Sequence, residues 1–91
     1  MATLHMDVEI VRSANSVLRQ SSEELISLIV NISESNTGLQ SAWIGNSANE
    51  YSNRIQTWLI NAQRLNEQLN ELNAQLVKEV NQWEEMAARM G

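Results

Sequence analysis

The sequence has no cysteine and no proline, and only three glycines. Without cysteine there is neither a disulfide staple nor a thiolate metal site, and the redox compartment is left open. Without proline nothing compels a helix to stop, so long uninterrupted helices are open to this chain. Aromatic residues are also scarce. Three Trp and one Tyr make up 4% of the chain, a thin supply for a compact core of mixed α and β structure. Basic residues are outnumbered, six against eleven acidic, for a net charge of −5. That balance argues against nucleic acid, whose phosphates need a basic footprint, and against an anionic membrane surface. The most apolar stretch, residues 25–32, is interrupted by Ser27 and Asn31. It falls far short of the roughly 20 residues that span a bilayer, so no membrane insertion is expected. The first residues, Met1 to Asp7, have neither a basic n-region nor an apolar h-region. The expectation is one soluble domain over residues 1–91, which, if it leaves the cell, does so without an ordinary signal peptide.

Hydrophobic residues are nevertheless 43% of the chain, too many for disorder, and they are periodic. Leu4, Val11, Leu18, Leu25, Ile32 and Leu39 recur every seven residues. A second row reads Val8, Asn15, Ser22, Ile29, Asn36 and Trp43, half of it polar. A 3.5-residue period sustained in this way is a helix with a seam. Asn15, Ser22 and Asn36 fix register or partner choice if they are buried; they are expected at the exposed edge of the seam. In the second half, Ala48, Ile55, Ala62, Leu69, Leu76, Trp83 and Met90 share one heptad position. Tyr51, Trp58, Leu65, Leu72 and Met86 share another and are expected to complete the second seam, with Leu59, Ile60 and Val77 outside it. The remaining positions, among them Asn61, Gln63, Asn66, Glu67, Gln68, Asn70 and Glu71, read as a solvated face.

Between the halves lies Ala42-Trp43-Ile44-Gly45-Asn46-Ser47. Gly45 can take a positive φ where a helix ends. Asn46 or Ser47 can then cap the helix that follows, and Ser47 and Glu50 have the spacing of a capping box. The expected architecture is all-α: helix 1 over about 5–41, a turn over 42–46 and helix 2 over about 47–88. Rods of this size are about 55–60 Å long at 1.5 Å per residue, and the short connection makes them antiparallel.

Two helices side by side bury one stripe each, and both of these carry more than one. Ile10, Val17, Ile26, Val30, Leu59 or Ile60 would be left in water, so the hairpin is expected to pair into a four-helix-bundle dimer. The partner interface is expected to use Leu18, Leu25, Ile29 and Ile32 of helix 1 and Trp58, Leu65, Leu69 and Leu72 of helix 2. The mild net charge gives little pull towards an oppositely charged partner, so a homodimer is favoured.

No reactive constellation is visible, and neither catalytic nor cofactor-binding nor metal-binding residues are assigned. His5 is the only histidine. There is no phosphate-binding Gly loop, no HExxH and no EF-hand loop. Glu23-Glu24 and Glu84-Glu85 are neighbours that point about 100° apart on a helix and chelate poorly. Glu50 with Arg54, and Glu85 with Arg89, have favourable i,i+4 order. The chain is not expected to be an enzyme.

The turn is the specific part. Trp43-Ile44-Gly45-Asn46-Ser47-Ala48-Asn49-Glu50-Tyr51 places a Gly two residues after a Trp, small residues at 47–48 and an aromatic eight after the Trp. With the length, the hairpin and the mid-chain turn, this resembles the WXG family of small ESAT-like proteins along the whole chain. The turn residues that carry the likeness are Trp43, Gly45, Ser47 and Tyr51.

The resemblance implies antiparallel four-helix-bundle homodimers or heterodimers, exported through type VII (ESX-like) secretion systems driven by a membrane ATPase. It implies partners that are the chain itself, a related WXG protein, the secretion ATPase or a larger cargo, and a secreted location reached without a signal peptide. Many members carry a Tyr-x-x-x-Asp/Glu signal after helix 2, and this sequence departs there. Its only Tyr is Tyr51, with Ile55 four residues later. The remnant of that pattern is Val80, Trp83, Glu84 and Ala87, in which Trp83 stands for the aromatic and Ala87 sits where the acid belongs. The alternative is a cytoplasmic coiled-coil adaptor or structural subunit with a coincidental turn motif.

Overall fold

The computed structural model describes residues 5–90, and they form two long helices. Helix α1 runs Val8–Ala42 and α2 runs Asn46–Met90, folded back on each other as an antiparallel hairpin. The rod measures 68 × 22 × 15 Å. At about 1.5 Å per residue the 45 residues of α2 account for the whole long axis. A helix with its side chains is about 10–12 Å thick. The cross-section therefore holds two helices side by side and nothing behind them.

The helix ends differ by a few residues from the sequence reading, for local reasons. Helix α1 starts at Val8 because Asp7 caps it: the Asp7 carboxylate accepts from the Ile10 N–H at 3.2 Å. It ends at Trp43, whose N–H donates to the Leu39 carbonyl at 2.9 Å. Gly45, at φ 136°, holds the position before α2, and its carbonyl accepts from Asn49 N–H at 3.0 Å. Ser47 is consequently already inside α2, and the Ser47–Glu50 capping box does not form its start. At the other end, Glu85 and Arg89 make their i,i+4 pair at 2.8 Å.

The seam follows the heptads of α1 as read. Val8, Val11, Asn15, Leu18, Ser22, Leu25, Ile29, Ile32, Asn36 and Leu39 are its half-buried or buried residues. Leu4, the first member of that row, lies outside the described residues. The polar residues are not at an exposed edge. Ser22 is buried, and its hydroxyl crosses the seam to the carboxamides of Asn66 and Asn70, 3.0 Å from the latter. Asn66, expected on the solvated face, is thereby half-buried in the seam, and Asn70 at its exposed edge shares the same hydroxyl.

On α2 one expected row is in place and the other is not. Ala48, Ile55, Ala62, Leu69, Leu76 and Trp83 face α1, whereas Met90 at the helix end is 81% exposed. The second row of the seam is Ser52, Leu59, Asn66, Asn73 and Val80. The more apolar row of Tyr51, Trp58, Leu65, Leu72 and Met86 is turned outward. Both rows flank the Ala48–Trp83 row, one on each side. Asn66 faces α1 because Ser22 is there to bind it, which leaves the large apolar side chains on the open flank. Leu59 accordingly joins the seam, while Ile60 and Val77 stay out of it.

The interior is small as a result. Among the described residues only Ala62, Val80 and Ser22 are buried. The accessible surface is 7246 Å². A compact monomer of this mass exposes roughly 5,400 Å² by the size scaling of folded proteins.

Candidate functional site

Two features of the rod stand out: the turn at one end and an uncovered apolar face along its side. At the turn, Trp43 leaves α1 in an extended conformation, φ −137° and ψ 118°. This swings its ring onto Tyr51 in the second turn of α2, with centroids 5.9 Å apart and planes tilted by 49°. Tilted aromatic pairs at this spacing gain beyond simple burial. The pair walls a shallow pocket with Leu39, Ile44 and Ala48. Ile44, at the tip, is 90% exposed. Gln40 on α1 donates to Ser52 on α2 at 2.8 Å and ties the two helices just below the rings. Gly45 meets open space and is needed for its φ rather than for room.

The two flanks of the hairpin are unlike. On one, the row Tyr51, Trp58, Leu65, Leu72, Met86 of α2 runs beside the row Ala14, Ser21, Leu28, Ser35, Ala42 of α1. Two grooves lie on this side. One is formed by Leu18, Leu72 and Leu76, the other by Ile32, Ser35, Leu39, Tyr51 and Ile55. The large side chains stand on α2, and α1 is low enough for another helix to approach closely. Glu79, which interrupts the α2 row between Leu72 and Met86, is the only charge at these heptad positions within the two helices. The other flank carries the Arg12–Glu84 ion pair and a groove in which Ile26 and Val30 are bordered by Gln63 and Glu67.

The residues expected at a partner interface are thereby divided. Leu18, Leu25, Ile29, Ile32 and Leu69 line the intrachain seam, and Trp58, Leu65 and Leu72 stand on the open face. Trp58, Leu65 and Leu72, expected in the seam as well as at the interface, lie outside the seam, because hydrophobicity cannot say which of two flanking rows turns inward. The signal that decides it is the matching of polar residues on the two helices.

Comparison with known families agrees with the turn. The family model described as proteins of 100 residues with WXG (WXG100) matches residues 3–88. The chain belongs to the WXG100 family. Neither the comparison with curated proteins nor that with solved structures gives a match.

In this WXG100 protein the segment compared with an export signal is part of the hairpin. Val80 is buried and Trp83 half-buried against α1, Glu84 pairs with Arg12, and Ala87 is exposed. Among the described residues no three or more His, Asp or Glu converge as a metal site would require. No helix among them is long and apolar enough to cross a membrane.

Proposed function

We propose that this WXG100 protein is a non-enzymatic substrate or co-secreted partner of a type VII (ESX-like) secretion system that works by helix-bundle association. The observation that carries the reading is the open face of Trp58, Leu65 and Leu72 on a rod only two helices wide. A contiguous apolar surface of this kind is a docking surface. Its occupant is a second copy of the chain. The face is almost free of charge, so two acidic chains meet there without like charges opposed, and the net charge of −5 stays on the remaining surface. Pairing two hairpins through it completes a four-helix bundle. The Trp43–Tyr51 end remains available to the export machinery.

Export in company with a partner is favoured over export alone, because Val80 and Trp83, part of the remnant of the family's signal pattern, are engaged with α1. The test is fractionation of the native host with and without the secretion ATPase. The protein is expected outside the cell only when the ATPase is present. A Trp43→Ala variant that folds and dimerises is expected to stay inside. Retention of the wild-type protein in the cytosol under both conditions would instead support the coiled-coil adaptor reading.

A further inference from the structure

The seam of this hairpin contains six polar residues at positions where coiled-coil seams are ordinarily apolar: Asn15, Ser22 and Asn36 on α1, and Ser52, Asn66 and Asn73 on α2. Their arrangement is not random. Moving in heptads from the Ser22–Asn66 hydrogen bond sets Asn15 against Asn73 and Asn36 against Ser52. The same steps set Val8 against Val80 and Ile29 against Leu59. By this alignment each position in the series has its like opposite it, although Ser52 takes its hydrogen bond from Gln40. The carboxamide oxygens of Asn15 and Asn73 are both buried and both lack a hydrogen-bond partner. Rotation of either carboxamide by a half-turn offers its N–H₂ in place of its oxygen, so the pair is equipped to satisfy itself.

Alternative alignments break the match. Sliding α2 by one heptad in one direction sets Asn15 against Val80, Ile29 against Asn66 and Asn36 against Leu59. Sliding it the other way sets Val8 against Asn73, Ser22 against Leu59 and Ile29 against Ser52. Each slip leaves buried polar groups facing aliphatic ones, which costs free energy that the native alignment does not lose. The apolar row offers no such discrimination, because Leu18, Leu25, Ile32 and Leu39 meet aliphatic residues in any of these registers. The turn acts in the same sense: a slip of one heptad passes three or four residues around the bend and carries Gly45, with its positive φ, away from it.

We propose that these six residues are the register determinants of the hairpin, closing it in one alignment and so fixing the Trp58–Leu65–Leu72 row relative to α1. Their role is selection among alignments, which buried Asn fulfils in coiled coils at some expense in stability. A slip of one heptad would carry α2 about 10 Å along α1 and change the face offered to a partner.

The chain has no cysteine, so introduced pairs report alignment directly. Ile29→Cys with Leu59→Cys reports the native register. Leu25→Cys with Leu76→Cys, and Leu25→Cys with Ile55→Cys, report the two slips. In the wild-type background only the first pair is expected to oxidise to an intramolecular disulfide. In a background of Asn15→Leu, Ser22→Ala, Asn36→Leu, Ser52→Ala, Asn66→Leu and Asn73→Leu, at least one slip reporter is expected to oxidise as well. A helical variant that oxidises the native pair alone would overturn the proposal. Melting temperatures provide a second arm that does not need the six-fold variant. Asn73→Leu alone is expected to lower the melting temperature, and adding Asn15→Leu is expected to restore it. Independent, additive losses from the two substitutions would equally overturn the proposal.

Discussion

Ala62 and Leu65 lie less than one turn apart on α2, yet the small residue is 7% exposed and the large one 49%. The helices approach closely at Ala62, while Leu65 stands over nothing. Asp at the two sites is therefore expected to fail in different ways. Ala62→Asp places an unpaired charge in the seam, at a cost of several kcal/mol, and circular dichroism should show loss of helix. Leu65→Asp should keep the helical spectrum at low temperature and weaken self-association on the order of 100-fold or more, read by sedimentation.

The two interior glycines are expected to respond in opposite directions. Gly38 is inside α1 with nothing within 4 Å of an added Cβ. Gly38→Ala should raise stability by about 0.5–1 kcal/mol through helix propensity. Gly45 also has open space, but its φ of 136° strains any L side chain. Gly45→Ala should lower stability by about 1–3 kcal/mol. Thermal melts of the two variants check the sign of each.

The contact between Trp43 and Tyr51 should appear as an energetic coupling. A double-mutant cycle with Trp43→Ala and Tyr51→Ala is expected to give about 0.5–1.5 kcal/mol, as for other aromatic pairs. Both rings are more than a third exposed, so neither single substitution should abolish the hairpin.

At the start of α1, Asp7→Ala removes the acceptor for the Ile10 N–H. The expected loss is about 1 kcal/mol, with Asp7→Asn or Asp7→Ser close to wild type. Hydrogen exchange at Ile10 should quicken in the Ala variant and not in the other two.

The two helices, the turn and the seam of α1 were legible in the sequence because Val11, Leu18, Leu25, Ile32 and Leu39 repeat without interruption and Gly45 stands where they end. The seam of α2 was legible on one side only. There the apolar row of Tyr51, Trp58, Leu65 and Leu72 competes with the polar row of Ser52, Asn66 and Asn73, and hydropathy favours the wrong one. What reverses the choice is a tertiary fact: Ser22, 44 residues away in the chain, is the partner of Asn66. Asp7 directly precedes Val8, the first residue of the half-polar row, and is the cap that starts α1 three residues after the expected start near residue 5. Ser47 was favoured as a cap because its spacing to Glu50 is right, but the positive φ of Gly45 starts α2 earlier.

A rod two helices wide with an apolar flank exists to be covered. The most direct test is the mass of the purified wild-type chain by light scattering, beside that of a Leu65→Asp/Leu72→Asp variant. Twice 10.3 kDa is expected for the wild type and a single 10.3 kDa chain for the variant. A wild-type protein that stays a folded, cooperatively melting single chain at high concentration, with no partner present, would contradict it.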